Sequence, residues 1–372
     1  MAKFTDIFED VTKQGTKIPT NFYLESGMYP IIDQGQSQVA GYTNKTEGLF
    51  TDIPAIIFGD HTRIIKYVVT PCFLGADGVK LLKAKDPVAN YKYLYYALCN
   101  ADIPNTGYNR HFKWLKEVEI PEYSTEEQNR IVSQLEKIDT LISLRQQQLS
   151  NLDELVKSRF IEMFGDPVTN PLGWRKLTVQ QAIVEKIIDK PLDGNHGGKH
   201  PKTSDYVPSG IPFIMANNLV AGKVDLENCA FISRKQADSL DKGFAKDGDV
   251  LITHKGTIGR TAILHCSYPY IMLTPQVTYY RPKIGIIPEY LKAYFDTDYF
   301  QGIIGNIASV GSTRAYIGIT AQQELPLIVP PMEVQEQYAT FVEQTDKSKF
   351  EIQQSLEKLE TLKKALMQKY FG

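Results

Sequence analysis

At 372 residues, with 42% hydrophobic and 23% charged residues, the chain has the composition of an ordinary globular protein with room for two or three domains. A formal net charge of −2 argues against a protein that coats nucleic acid through bulk charge. No apolar run approaches the roughly 18 residues of a membrane span, and Cys72, Cys99, Cys229 and Cys266 form no CxxC pair, which predicts free thiols in a reducing, cytoplasmic setting.

Proline residues divide the chain. Pro121 and Pro330-Pro331 precede two leucine-rich stretches, and Pro167 and Pro171 follow the first of them. Four segments are predicted: a head at 1–120, a helix at 121–165, a second head at 166–328 and a second helix at 329–372. In the first head, Ala55-Ile56-Ile57-Phe58 is an apolar run bounded by turn residues, which predicts a strand, and 91–98 predicts a short helix with an aromatic face.

In the first helical segment Ile131, Leu135, Ile138, Ile142, Leu149, Leu152, Val156 and Met163 step by four and three, with Arg145 and Arg159 in two slots of the frame. This is a heptad seam. The second segment repeats it with Ile352, Leu356, Leu359, Leu366 and Tyr370, and Lys363 in the open slot. Both segments open on an apolar-Pro pair, pass through Glu-Gln (Glu127-Gln128, Glu336-Gln337) and stop at Phe-Gly (Phe164-Gly165, Phe371-Gly372). Matched at Glu-Gln, the second copy is predicted to be two residues shorter. A helix of this length, roughly 55 Å at about 1.5 Å per residue, needs a partner for so narrow a stripe. The other copy is the nearest candidate, in an antiparallel pair. Two separate surface helices and a homodimeric coiled coil are the alternatives.

The second head predicts strands at Asp249-Val250-Leu251-Ile252-Thr253 and Val277-Thr278-Tyr279-Tyr280, and a short helix over 289–295. The heads echo each other in order. Gly27-Met28-Tyr29-Pro30-Ile31 matches Gly210-Ile211-Pro212-Phe213-Ile214, then come a strand, a histidine turn (His61, His254), an aromatic helix and an Arg-aromatic segment. The fold class is therefore α+β: two mixed α/β heads joined by two long antiparallel coiled-coil helices, with pseudo-two-fold character. A two-headed molecule suits a long repetitive ligand, and DNA is the leading candidate.

Several chemistries lack their motifs. No Gly-rich loop ends in Gly-Lys-Ser/Thr, no Asn-Pro-Pro-Tyr-like string is present, and no acidic constellation resembles a nuclease centre. His196 and His200 have ligand-like spacing, but a Gly-Gly pair lies between them and no cysteine is near, so no metal is expected. Polar and basic loops remain. The first head offers Gln36, His61, Arg63, Lys66, Arg110 and His111. The second offers His196, Lys199, His200 and Lys202; Asn218; His254, Lys255, Thr257 and Arg260; and Thr313, Arg314 and Tyr316. Cationic residues beside glycines suit phosphates, and His, Asn, Thr and Arg suit base edges. The plainer reading of any one cluster is a solvated loop. For Asn218 a turn role is equally good, and for Tyr316 a core position is favoured.

The order head, long helix, head, long helix resembles the specificity subunit of type I restriction–modification enzymes. The Pro-to-Glu-Gln entry of each helix, the terminal Phe-Gly, Gly173-Trp174, and the strings GDVLITHKGTIGR and GSTRAYIGITAQQELPLIVPP are similar to that family. The resemblance implies two target-recognition domains, each reading half of a split double-stranded DNA sequence. It implies a non-catalytic chain whose helices set the gap and dock two methyltransferase subunits, with motor-nuclease restriction subunits joining them. S-adenosylmethionine, Mg and ATP are then expected in those partners and no cofactor in this chain. A specificity module for a fused methyltransferase-nuclease is the alternative, and a coiled-coil protein scaffold without DNA binding is the alternative of another class.

Overall fold

The computed structural model describes residues 1–372 apart from 76, 108 and 310–314. It divides into two units, Met1–Gln147 with Ile352–Gly372, and Gln148–Glu351. Each unit therefore holds one head and a half of each long helix.

In the first head, Ala55–Gly59 is the middle of an antiparallel sheet, flanked by Val79–Ala84 and Ile65–Val68, with Phe8–Asp10 at the edge. Every residue of this strand is buried. Ile56 and Phe58 face one core with the helix Tyr91–Cys99, while Ala55 and Ile57 face another with Val11, Leu74 and Leu81. Burial on both faces explains a continuous apolar run where a half-exposed strand would alternate. Asn90 starts the helix by accepting a hydrogen bond from the Tyr93 amide at 3.0 Å. A second sheet orders Gly41–Thr43, Tyr29–Ile32 and Phe73–Leu74.

The second head repeats this topology on a larger scale. Val250–Lys255 lies between Val277–Tyr280 and Thr257–Ile263, with Leu192–Asp193 at one edge and the short strands Lys223–Val224 and Leu219–Val220 beyond the other. In its other sheet Ile211–Ile214 sits between Ala230–Ile232 and Ile271–Leu273. The matching registers identify equivalent residues. Pro30 opposes Tyr42 in an antiparallel pair, and the next residue, Ile31, opposes Phe73 in a parallel one. Pro212 opposes Phe231, and the next residue, Phe213, opposes Met272, with the same two senses. A proline between two neighbours is unusual in a sheet because it cannot donate to a ladder, so its recurrence at one position supports duplication of the heads.

Each head also closes on itself. Ala2–Lys3 pairs antiparallel with Glu119–Ile120, and Arg175–Thr178 with Pro326–Val329.

The long helices are Thr125–Phe164 and Met332–Phe371, 40 residues each. Their starts and ends are displaced equally, so the second copy is not shorter. The match at Glu-Gln was misplaced: the equivalent of Gln128 is Gln335, not Gln337. Gln128 donates its side-chain amide to the carbonyl of Tyr123 at 3.0 Å, and Gln335 donates to that of Pro330 at 2.8 Å, each five residues back. The acceptors of two aromatic hydroxyls keep the offset of the helices, Tyr93 donating to the carbonyl of Pro121 and Tyr290 to that of Ile328.

The helices pair with each other. In the first unit Tyr370 donates to Gln134 at 2.9 Å and Lys363 meets Asp139 at 2.6 Å, an antiparallel order. In the second, Lys349 meets Asp153 at 2.7 Å and Arg159 lies 5.7 Å from the Phe341 ring centre, again antiparallel. All predicted seam residues are buried or half-buried, including Arg145, Arg159 and Lys363. The seam alone did not reveal the aromatic cluster of Phe160, Phe164, Tyr290 and Tyr338 in the second unit.

Candidate nucleic-acid interface

In the first head, loops at one end of the central sheet converge on Gln34. Its amide donates to the Asp77 carbonyl at 3.1 Å, its side-chain oxygen accepts from the His61 amide at 3.2 Å, and its main-chain carbonyl accepts from Thr62 at 2.7 Å. The His61 ring and the Asn109 carbonyl meet at 3.2 Å, which ties a fourth segment to these three. Arg63 sits at φ 63° and donates to the Ile103 carbonyl at 3.0 Å. Gln36 and Arg110 are exposed and open to a ligand.

Two candidates belong to the interior instead. Lys66 is 2% exposed, donates to the Ser37 carbonyl at 2.6 Å and lies 3.5 Å from Asp33. Burial lowers its pKa, against the opposing charge of Asp33. His111 is fully buried, and its Nδ1 donates to the Asp60 carbonyl at 3.0 Å. Both pin loops, and neither side chain reaches a ligand. Sequence alone could not show this, because a buried, satisfied polar residue reads like an exposed one.

The second head gathers more of its candidates. Asp193 is 1% exposed and takes hydrogen bonds from Lys242 and from His196, the latter at 2.6 Å. Burial alone would raise its carboxyl pKa, but these two bonds prevail and hold it below the ordinary value. His254 is 1% exposed, and its Nδ1 donates to the Ile317 carbonyl at 2.9 Å. Its Nε2 has no hydrogen-bond partner and stands 3.9 Å from Asp193. Burial lowers the His254 pKa despite both contacts. The 315–317 segment lies beside this strand: Gly256 donates to the Ala315 carbonyl at 3.0 Å, and the Lys255 ammonium lies 5.9 Å from the Tyr316 ring centre.

Beside these residues is a cavity of about 350 Å³ lined by His196, His200, Lys255, Thr274 and Gln276 among others. His200 Nδ1 and the Thr274 hydroxyl are buried without partners. Burial, then the neighbouring His196, lowers the His200 pKa. Thr274 and Gln276 escaped the sequence reading because their turn, Thr-Pro-Gln, carries no charge; Pro275 was the only local signal.

The remaining candidates scatter. Lys199 pairs with Asp241, and Lys202 and Thr257 are exposed. Arg260 is exposed beside Lys292 and Asp296 on a separate cavity of about 400 Å³. Asn218 is 3% exposed and accepts from the Met215 amide at 3.0 Å, so it holds a turn and presents nothing to a base. Tyr316 reverses the core expectation at 44% exposed. Thr313 and Arg314 lie outside the described residues. Among the described residues no group of three or more His, Cys, Asp or Glu is placed to hold a metal, and no helix is long and apolar enough to cross a membrane.

Comparison with known proteins gives a consistent result. The family profile described as "Type I restriction modification DNA specificity domain" matches residues 1–154 and 192–364. The type I restriction enzyme MjaVIII specificity subunit of Methanocaldococcus jannaschii is 21% identical over 314 residues, 79% of this chain and 74% of that protein. The crystal structure of the type I restriction-modification S subunit from M. genitalium aligns over 100% of this chain and 95% of its own, with TM-score 0.60 and 16% identity. A chain from a structure on complex assembly and conformational transition of the type I R-M system aligns over 100% and 95%, with TM-score 0.57 and 17% identity.

Proposed function

The chain belongs to the type I restriction–modification DNA specificity family, a non-catalytic component that supplies sequence specificity, and we propose that its two heads read the two unlike halves of an interrupted double-stranded target. The observation behind this reading is the shared register around Pro30 and Pro212 combined with different chemistry at equivalent places. Gly75 and Thr274 each donate a main-chain amide to equivalent residues, Ile32 and Ile214, yet one has no side chain and the other a buried hydroxyl. One scaffold presenting two sets of side chains suits two different half-sites.

In this reading the long helices set the gap and carry two methyltransferase subunits, which motor-nuclease subunits join in the cytoplasm. S-adenosylmethionine, Mg and ATP act in those partners.

The test is to map methylated adenines in cells expressing this chain with its methyltransferase. An interrupted, asymmetric sequence is expected. Exchange of residues 175–329 for those of a relative should change one half and leave the other. Methylation at an uninterrupted site, or a change in both halves, overturns the proposal.

A further inference from the structure

The cavity in the second head is lined by several residues that carry hydrogen-bond donors and by no acid. Lys255, Gln276, Thr274, His196 and His200 line it with Tyr206, Met215 and Pro275, and none of its lining residues is a carboxylate. The nearby Asp193 is already compensated by Lys242 and His196. Thr274 is 4% exposed with its hydroxyl unpartnered, and His200 Nδ1 is likewise buried and unpartnered. A buried polar atom left unpaired is unfavourable, so two such atoms on one cavity mark a place that a polar ligand completes. A base edge is read by a flat row of alternating donors and acceptors. Here a cation and neutral donors surround a volume, which suits a tetrahedral anion.

We infer that this cavity is a phosphate pocket, and that in the DNA-reading function proposed above it takes one backbone phosphate of the second half-site. It therefore fixes the position of the second head on the duplex without reading sequence. Among the described residues, the equivalent place in the first head is built differently. Gly75 replaces Thr274, and an added Cβ there would come within 2.3 Å of Asp33, so that space is filled. Asp33, the residue after Ile32 as Met215 follows Ile214, puts a carboxylate where the second head has a thioether. The two heads then grip their half-sites by different means.

The test uses the full chain with its methyltransferase and two duplexes, the mapped target and a scrambled control. Lys255→Gln should weaken both by a similar factor, about tenfold at low salt, and reduce the slope of log affinity against log salt by about one. Thr274→Val keeps the side-chain shape and should weaken both about threefold without lowering the melting temperature. In a scan with single methylphosphonates, one position in the second half-site should weaken the wild type and have no further effect on Lys255→Gln. A loss confined to the target duplex makes these residues base readers and overturns the inference. So does an unaltered salt slope. Binding of inorganic phosphate that depends on Lys255, without coupling in the methylphosphonate scan, assigns the cavity to a free anion and also overturns it. A wild-type complex that does not distinguish target from control overturns the specificity function itself.

Discussion

Lys363 places its ammonium 2.6 Å from the Asp139 carboxylate across the paired helices, while Tyr96 donates its hydroxyl to the same carboxylate at 2.8 Å. The two partners are unequal. Lys363 and Asp139 are each over a third exposed, so solvent screens their attraction to about 0–1 kcal/mol. Tyr96 is 4% exposed, and its hydroxyl loses an acceptor if Asp139 is removed. Asp139→Ala is therefore expected to destabilise the protein by about 1–3 kcal/mol and Lys363→Ala by under about 1 kcal/mol. Denaturant unfolding of both variants checks the order, and a larger loss for Lys363→Ala refutes it.

The equivalent glutamines at the helix starts should differ in the same way. Gln335 is fully buried and makes three hydrogen bonds beyond its helix, to the Gly285 and Pro330 carbonyls and from the Ile287 amide. Gln128 is half-buried and makes one, to the Tyr123 carbonyl. Gln335→Leu should cost about 3 kcal/mol or more and Gln128→Leu about 1 kcal/mol, measured by urea unfolding.

The long helices were legible because their chemistry is local and periodic. A heptad seam and a Phe-Gly stop appear in any single window of sequence. Gln335 was missed because its role is set by Gly285 and Ile287, nearly fifty residues earlier in the chain. The heads were legible as an ordered echo of 27–31 in 210–214, but that match sets Pro30 against Phe213, and only the strand registers pair Pro30 with Pro212. Site residues were less so. Lys66, His111 and Asn218 look like ligand-binding residues in sequence, and only packing shows that their bonding capacity is spent on Ser37, Asp60 and Met215. Thr274 shows the converse, an unremarkable residue whose hydroxyl the fold leaves buried and unpaired.

Burial lowers the pKa of both His254 and His200 below the ordinary 6.5, so the unfolded chain binds more protons than the folded one as pH falls through that value. The stabilisation from keeping them neutral is complete above 6.5 and is lost as pH falls through their folded values. The groups facing His254 are Asp193, His196 and Lys255, with the Tyr316 ring at 5.7 Å. Melting temperature is expected to drop as pH falls below the ordinary histidine value of 6.5. His254→Gln should flatten that drop. A stability that rises on acidification over this range contradicts the assignment.

Interior and surface candidates should also separate in function. His111→Ala is expected to cost about 2 kcal/mol without changing which sequence is methylated, because its buried ring only joins Thr106 to the Asp60 carbonyl. Arg110→Ala, at an exposed neighbour, should leave stability within about 0.5 kcal/mol and weaken methylation. Thermal melts paired with methylation mapping distinguish the two.

Ala2–Lys3 lies against Glu119–Ile120, and Arg175–Thr178 against Pro326–Val329. Each head thus starts and finishes at one doorway beside a helix. A recombination between two related genes that respects those short strands transplants a whole reader as a cassette. For such a protein, a single exchange between those paired strands delivers a complete head with all its loops.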